Sequence, residues 1–413
     1  MPVNQNVTKY DIDADPSKVH RTGEFKERVA VIRTSDRMSF KACRRKWNWS
    51  SGLRFNLEPK QSPAPLWYGT GIHYALEDYH GAKDYSTIIE GFEDYIYATR
   101  KNAHNLQLPD EWEELRELGM ATLSYYADRW LSRRDPYETF VLNGEPQVEV
   151  NFLVDIPNDW RDRLVSQGIT PDYDRAIYSG TIDRVVIDPE DGKLWLQDYK
   201  TAKQMKSSHY ENDPQVTSYC WAAYHIYQRP IGGMIYHQFS KTAPKGPREL
   251  KNGTISLAQN QVTSHTLYRD ALIEKYGTVM GAPKPNVDYL NSMAAIEDEN
   301  RDKFIRRDRI WKNPHSLEVE GSKILMECED MLNPNLPLYP NPGWTCPLMC
   351  SFYEECVSMD DGSDWEHQLK LNTQERAKTD ESWRKYLQND IKRIDLKGMV
   401  DADVVDLTKE DFV

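Results

Sequence analysis

The amino-acid sequence predicts a mixed α/β fold. Its central third contains short runs of β-branched residues bounded by turn formers, and such runs predict strands. The clearest pair lies in GTIDRVVIDPEDGKLWLQDYKT at 180–201, where residues 182–187 and 194–196 flank the turn-forming cluster DPEDG. Longer stretches in which apolar residues have helical spacing precede and follow this pair. Strands and helices that alternate along one chain are typical of an α/β protein.

Each element has its own signal. PQVEVNFLVDI, from Pro146, alternates apolar and polar residues and predicts a strand before the hairpin, and 231–239 predicts one after it. The polar stretch 157–174 predicts an inserted loop. Helices are predicted at 35–49, 69–80, 86–103, 110–134, 213–227, 258–276 and 290–311.

The composition is that of a folded, acidic protein. The chain has 413 residues, a formal net charge of −13, 24 Tyr and 12 Trp. This aromatic content excludes a disordered chain, and the charge argues against indiscriminate coating of nucleic acid. There is no uncharged apolar run long enough to span a bilayer, and the N-terminal residues lack the apolar segment of a signal peptide. We therefore expect no membrane partner and a cytoplasmic location (host-cell cytoplasm for a viral protein), where the six cysteines stay reduced.

Three basic stretches suggest contact with nucleic acid, and one acidic stretch suggests contact with another protein. KACRRKW, which contains Arg44 and Arg45, and RDKFIRRDRIWK combine cations with tryptophan, a combination that suits single-stranded DNA. KTAPKGPRELK from Lys241 is the third basic stretch; the alternative for each is a solvated surface. The acidic end DADVVDLTKEDFV predicts a tail that could dock a protein partner, with a helicase, a recombinase or a single-strand-binding protein left open.

Two aspartates of the hairpin are predicted to face each other. If the turn is centred between Glu190 and Asp191, Asp183 lies opposite Asp198. Lys200 then projects from the same face as Asp198. Opposed like charges destabilise a sheet, and a divalent cation would turn them into a set of ligands. The alternatives are aspartates that face solvent, or a register shifted by one residue that separates them.

The hairpin resembles the core motif of the PD-(D/E)XK nuclease superfamily. Gly-x-x-Asp at 180–183 and Asp-Tyr-Lys-Thr at 198–201 match it, with aspartate in place of the commoner glutamate. The resemblance implies a restriction-endonuclease-like core, which is a central mixed sheet flanked by helices. It also implies a site in which the three catalytic residues are Asp183, Asp198 and Lys200, with Thr201 as a further candidate.

Two helical motifs narrow the resemblance to the RecB/AddB-type branch. His73 and Glu77 lie four residues apart in YGTGIHYALEDYH, and Gln215 and Tyr219 lie four apart in DPQVTSYCWAA. A solvated or core-facing helix is the alternative for each pair. In the branch that the chain resembles, the histidine binds the catalytic metal, and the Gln-x-x-x-Tyr residues hold nucleic acid.

The resemblance therefore implies a metal site and its ion. The ligands it implies are His73, Asp183, Asp198 and the Tyr199 carbonyl, and Glu149 matches an acidic position of some relatives. Mg²⁺ and Mn²⁺ are both candidates, and a histidine ligand suits Mn²⁺ better than Mg²⁺.

Four cysteines predict a second metal centre. CPLMCSFYEEC contains Cys346, Cys350 and Cys356, and Cys43 lies far upstream. Clustered cysteines in a reducing compartment are typical of metal ligands. The arrangement resembles the iron–sulfur region of AddB-type nucleases, CRISPR adaptation nucleases and the exonuclease 5 group, so we expect a [4Fe–4S] cluster, with Zn²⁺ as the alternative.

These observations divide the chain into five regions. They are a polar lead-in (1–30), a helical region with the histidine motif (31–140), the nuclease core (141–280), a helical and iron–sulfur region (281–365), and a C-terminal helix with an acidic tail (366–413). The resemblance implies a metal-dependent DNA exonuclease, acting on single strands or ends in recombination, repair or replication. Two alternatives stay open: an end-trimming nuclease like those of CRISPR adaptation, working with a partner, and a DNA-binding scaffold with a vestigial site.

Overall fold

A mixed β-sheet carries helices on both faces, which confirms the predicted α/β class. The computed structural model describes residues 28–60, 64–82, 87–100, 109–131, 135–205, 211, 213–298, 300–376 and 392–395. The strands are β1 (Val29–Arg33), β2 (Leu57–Pro59), β3 (Glu138–Thr139), β4 (Val141–Leu142), β5 (Glu145–Pro146), β6 (Val148–Ile156), β7 (Arg175–Ile187), β8 (Leu194–Ala202), β9 (Ile231–Ser240), β10 (Ile305–Trp311), β11 (Thr373–Glu375) and β12 (Lys392–Asp395).

The helices of the described residues surround this sheet. They are α1 (Thr34–Ala42), α2 (Arg44–Ser50), α3 (Ala64–Ala82), α4 (Thr87–Arg100), α5 (Pro109–Tyr126), α6 (Asp159–Ser166), α7 (Pro214–Tyr227), α8 (His265–Tyr276), α9 (Lys284–Ala294), α10 (Pro314–Leu332), α11 (Cys346–Met349), α12 (Tyr353–Asp361) and α13 (Trp365–Asn372). A π-helical segment, Ala127–Leu131, continues α5. None of the described helices combines the length and hydropathy needed to cross a bilayer.

The main sheet has the order β10–β9–β8–β7–β6–β12, and β1 and β3 also pair with β7. β8 and β9 are parallel, whereas β6, β7 and β8 form an antiparallel run. The β7–β8 hairpin pairs Val185 with Leu196 and Ile187 with Leu194. This is the register that a turn centred between Glu190 and Asp191 requires, because each pair is equidistant from that point.

The two faces of the sheet bury different cores. Tyr199 and Phe239 belong to one apolar cluster with residues of α3, α4 and α5. Leu196 and Tyr236 belong to another with residues of α1, α7 and α10. Since neighbouring residues of a strand point to opposite faces, β8 and β9 are buried on both sides. The functional motifs of α3 and α7 therefore approach the same strands from opposite directions.

The helix predicted at 290–311 is wrong in its second half. α9 ends at Ala294, and residues Ile305–Trp311 form β10, an antiparallel neighbour of β9. Ile305 and Ile310 are buried, but the charged residues between them conceal any two-residue alternation. β10 lies at the edge of the sheet, where charged side chains are common because they discourage pairing with another chain.

Other boundaries also differ from the predictions. The predicted loop 157–174 contains α6, which buries Trp160 and Leu164 on one side. The helix predicted at 35–49 is interrupted at Cys43, whose backbone is extended, and α8 begins at His265 rather than at 258.

The two ends of the predicted division are described only in part. The lead-in was predicted to reach residue 30, but Val29–Arg33 pair with β7. α13 provides a helix at the start of 366–413, whereas residues 1–27 and the acidic tail lie outside the described residues.

Gly180→Ala is expected to lower the free energy of unfolding by about 1–3 kcal/mol, because a Cβ at this position overpacks the core. It would lie 2.6 Å from Phe152 Cζ and 2.9 Å from Tyr219 Cε1. Urea denaturation followed by tryptophan fluorescence measures the change. Gly246→Ala is the matched control, since a Cβ there meets no atom within 4 Å. Equal stability of the two variants would contradict the expectation.

Candidate active site

Three carboxylates lie in one row across β6, β7 and β8. The β6–β7 register pairs Val148 with Arg184 and Val150 with Ile182, which places Glu149 opposite Asp183. The hairpin pairs Arg184 with Gln197, which places Asp183 opposite Asp198 in turn. Glu149 has a positive φ of 42°, so the backbone of β6 departs from extended geometry at this point. The predicted pair of aspartates is thus part of a wider acidic row.

The α3 helix brings His73 to this row. His73 Nε2 lies 2.9 Å from the Tyr199 carbonyl oxygen. His73 Nδ1 lies 3.4 Å from Asp183 Oδ2 and 3.9 Å from Glu149 Oε1. The Tyr199 amide donates a hydrogen bond of 2.9 Å to the same Asp183 oxygen. The helix motif and the hairpin motif therefore meet around the backbone of Tyr199.

The donor atoms of His73, Glu149 and Asp183 all lie within 4.8 Å of one another, which is the spacing of a group able to hold one metal ion. Carboxylate and carbonyl oxygens suit Mg²⁺, and an imidazole nitrogen also suits Mn²⁺. Adjacent ligands of an octahedral ion with bonds of about 2.1 Å lie about 3 Å apart. His73 Nδ1, the ring nitrogen that faces the carboxylates, lies 3.4 Å from Asp183 Oδ2, which is close to that spacing. This donor set fits a divalent cation.

The electrostatics of the row favour a bound cation. Burial disfavours the charged imidazole, but Asp183 and Glu149 outweigh it and raise the pKa of His73 to about 9. Burial also raises the pKa of Asp183 and of Glu149. Negative charge thus accumulates at a poorly hydrated place, where a divalent ion would compensate it.

Mn²⁺ affinity is expected to increase about tenfold from about pH 7 to about pH 8, because His73 must lose a proton before its nitrogen can bind an ion. The sign follows from the pKa of about 9, below which each pH unit upward increases the neutral fraction. Titration of Mn²⁺ by electron paramagnetic resonance measures the affinity. His73→Ala should flatten the dependence, and His315→Ala, on an exposed residue, should retain it. A wild-type affinity independent of pH would contradict this.

Lys200 is paired with Asp198. Its Nζ lies 3.0 Å from Asp198 Oδ1 and 2.8 Å from Oδ2. The Asp198 side chain is 3% exposed, whereas that of Lys200 is 35% exposed and so reaches the surface. Burial and the charge of Asp183 raise the pKa of Asp198 to about 6 even though Lys200 opposes the shift. Burial opposes the charged ammonium, but Asp198 and Asp183 raise the pKa of Lys200 above its usual value. Lys200 is therefore a cation at neutral pH.

The α7 helix places Gln215 and Tyr219 on the other side of the hairpin. The side chain of Asp213 accepts a hydrogen bond from the Gln215 amide and caps the helix, and Pro214 occupies its first turn. Tyr219 is buried against Phe152, with ring centroids 5.7 Å apart. Burial raises the pKa of Tyr219; Gln215 opposes this through a hydrogen bond and Asp198 adds to it. The pair is therefore close to the acidic row.

The other two predicted site residues, Glu77 and Thr201, lie on either side of the acidic row. Glu77 is exposed on α3, and its charge contributes to the raised pKa of Glu149 after burial, the main cause. Thr201 Oγ1 lies 3.6 Å from the position that a Cβ on Gly69 would occupy. This distance places α3 next to the end of β8.

A buried polar layer behind Tyr199 was not indicated by any sequence motif. The Arg184 guanidinium donates to Gln197 Oε1 at 2.8 Å, and Gln197 Nε2 lies 3.1 Å from His237 Nδ1. The Tyr199 hydroxyl donates to the same Gln197 oxygen at 3.3 Å. These contacts hold the Tyr199 ring, and thereby both backbone groups that face Asp183 and His73. The residues come from separate strands, so their proximity depends on the sheet register.

The four clustered cysteines meet around one cavity of about 230 Å³. Cys43 lies at the start of α2 and the other three in and around α11 and α12. Their sulfurs accept hydrogen bonds: Asn341 N lies 3.4 Å from Cys43 Sγ, and Gly343 N lies 3.3 Å from Cys346 Sγ. Cys220 and Cys328 are buried in the core instead. The predicted grouping of the cysteines therefore agrees with their positions.

The side chains of Arg44 and Arg45 both contact other residues of the protein beside this cavity. Arg45 Nη1 lies 3.3 Å from Cys356 Sγ and 2.7 Å from Asp360. The Arg44 guanidinium lies over the rings of Phe40 and Tyr339 at 5.3 and 5.2 Å. Their proposed contact with DNA stays a prediction.

A hairpin with acidic and ammonium groups, next to an imidazole from the α3 helix, is an arrangement suited to a metal-dependent hydrolytic enzyme. The family model of the PD-(D/E)XK nuclease superfamily matches residues 35–357, more than half of the chain, and the chain belongs to this superfamily. PD-(D/E)XK nucleases use divalent metal ions, which agrees with the His73, Glu149 and Asp183 group. A search of curated proteins finds no match. The RecB/AddB-type branch stays a prediction.

Proposed function

We propose that the protein is a divalent-metal-dependent deoxyribonuclease that acts as an exonuclease on single-stranded DNA or DNA ends, in recombination, repair or replication. The observation that carries the proposal is the convergence of the His73, Glu149 and Asp183 donor atoms beside the Lys200–Asp198 pair. Because the chain belongs to the PD-(D/E)XK nuclease superfamily, hydrolysis of phosphodiester bonds is the reaction that this arrangement is proposed to catalyse.

Each of these residues has a separate proposed role in phosphodiester hydrolysis. His73, Glu149 and Asp183 would hold the ion, with Asp198 and the Tyr199 carbonyl as further candidate ligands. The ion, when bound, would lower the pKa of a water and offset charge on the scissile phosphate. Lys200 would orient that water or stabilise the phosphate oxygens, because its ammonium stays charged beside Asp198. Gln215 and Tyr219 would align the strand.

The cysteine cavity would hold a [4Fe–4S] cluster. Backbone amides directed at two of the sulfurs support this, because hydrogen bonds to sulfur are part of the surroundings of such clusters. Zn²⁺ bound by four thiolates is the alternative. The cluster would join α2 to the distant α11–α12 region.

A cleavage assay on end-labelled DNA tests the proposal. Linear single-stranded DNA is expected to be degraded with Mn²⁺ and to survive in excess EDTA, while circular single-stranded DNA resists because it has no end. Linear double-stranded DNA measures strand preference, and an RNA of the same sequence is the substrate control. Cleavage of the circle at the rate of the linear strand would contradict the exonuclease assignment. No metal-dependent cleavage of any DNA would overturn the whole proposal.

A further inference from the structure

Two lysines lie side by side where the parallel strands β8 and β9 end. The register pairs Ala202 with Ser240, and the Lys241 amide donates to the Ala202 carbonyl at 2.9 Å. Lys203 and Lys241 follow these residues directly. The register therefore makes neighbours of two cations that are 38 positions apart in the sequence.

The helix α3 borders the ends of β8 and β9. Tyr199 and Phe239 belong to the apolar cluster of α3, and Lys203 and Lys241 come directly after these two strands. Lys241 Nζ lies 5.7 Å from the centroid of the Tyr68 ring, on the α3 helix that also carries His73. The lysine pair and the metal ligands are thus bounded by the same helix.

Neither lysine is neutralised by a described residue. No carboxylate oxygen in the described part of the chain lies within ion-pair distance of either ammonium group. Burial and then the charge of Lys203 lower the pKa of Lys241. In a chain with a net charge of −13, two adjacent cations without an acidic partner form a local site for an anion.

The distance to the active site suits a nucleic-acid strand. Lys203 is four residues past Tyr199, whose carbonyl oxygen faces His73, or about 13 Å along an extended backbone. Thr201 and Gly69 lie in close contact between the two places, so β8 and α3 border the path together. A strand whose scissile phosphate lies at the proposed metal ligands would present a further phosphate near Lys203 about two nucleotides away.

We propose that Lys203 and Lys241 form a second phosphate site, which binds the substrate strand beside the scissile bond and sets its position. The inference rests on the proposed deoxyribonuclease function. The ligand is a phosphate group, either an internal backbone phosphate or one at the end of the strand. Because it binds away from the metal ligands, the pair is a positioning site rather than a catalytic one.

Fluorescence anisotropy with a short, internally labelled oligothymidylate, in Ca²⁺ instead of Mn²⁺, tests the site. The double variant Lys203→Gln/Lys241→Gln should bind about 10- to 100-fold more weakly, because two charge-assisted hydrogen bonds to phosphate become neutral ones. The slope of log affinity against log salt should fall by about 0.7 for each phosphate that the variant no longer neutralises. Lys203→Arg/Lys241→Arg should restore both values. Lys284→Gln/Lys370→Gln, on two exposed lysines elsewhere, is the matched control.

Oligonucleotides with a 5′-phosphate, a 3′-phosphate or hydroxyl ends distinguish an internal backbone phosphate from a terminal phosphate as the ligand of the lysine pair. Weaker binding of all three assigns the pair to an internal phosphate, and weaker binding confined to one phosphorylated end assigns it to that terminus. If the wild type binds and cleaves DNA but the Gln variant keeps its affinity and salt slope, the lysine site is wrong while the nuclease function stands. If the wild type neither binds nor cleaves, both are wrong.

Discussion

Lys200→Ala is expected to reduce the rate of DNA cleavage by about 10²- to 10³-fold, the usual effect of removing one group that stabilises charge in the transition state. The variant loses the ammonium that lies 2.8–3.0 Å from Asp198 and reaches the surface beside the metal ligands. Cleavage under single-turnover conditions at saturating Mn²⁺ measures the effect on the chemical step. Asp198→Ala should reduce cleavage at least as strongly, since it also removes negative charge next to Asp183.

The hairpin provides a matched control for this experiment. Lys193 pairs with Asp191 at 2.9 Å, two positions apart like Lys200 and Asp198, but at the turn. Lys193→Ala should therefore cleave at the wild-type rate. Circular dichroism and iron content should be unchanged in all three variants, which separates loss of chemistry from loss of folding. Full activity of Lys200→Ala or Asp198→Ala would remove these residues from the catalytic assignment.

If the cavity holds the proposed cluster, Cys43→Ser is expected to lose most of the iron and to lower the stability of the protein strongly. Cys43 and Cys346 line the same cavity although about 300 residues separate them, and a cross-link across a loop of that length contributes up to about 5–6 kcal/mol through chain entropy. Anaerobic purification followed by iron, sulfide and zinc analysis measures the centre, and thermal unfolding measures stability. The same effect is expected for Cys346→Ser, Cys350→Ser and Cys356→Ser.

Cys220→Ala is the control for the cysteine series, because Cys220 is buried in the core away from the cavity. It should keep its iron and lose only the small packing contribution of a sulfur atom. A colourless wild-type protein with one zinc and no iron would overturn the cluster and leave the zinc alternative. Four variants with wild-type stability and no metal in any sample would show that the cavity is not a metal centre.

Local pattern was enough to predict the hairpin and the two helix motifs. The turn formers at 188–192 determine which residues of β7 and β8 pair, because a hairpin register follows from its turn. Spacings of four residues place His73 with Glu77, and Gln215 with Tyr219, on single helix faces. Short segments were therefore enough to predict which residues share a strand or helix face, and the family resemblance implied their roles.

The sequence pattern gave the wrong secondary structure at β10 and missed the helix break at Cys43. β10 carries charged residues between Ile305 and Ile310, so its pattern resembled a helix, and only its pairing with β9 explains its conformation. The break at Cys43 had no local signal either. An extended residue there starts α2 with its sulfur directed at the cavity, and the other wall of the cavity comes from the region around Cys346.

By itself the sequence predicted the α/β class and the hairpin register that places Asp183 opposite Asp198, and its resemblance to the nuclease superfamily implied the residues of the proposed metal site. The hairpin register depends on a period of two residues and on turn chemistry, which act over a few neighbours. Only the tertiary structure decided that Glu149 joins His73 and Asp183, that Gln197 and His237 support Tyr199, and that Lys203 lies beside Lys241. Those contacts depend on strand order and on which helix covers which face, and both are set by burial of the whole core rather than by any short segment.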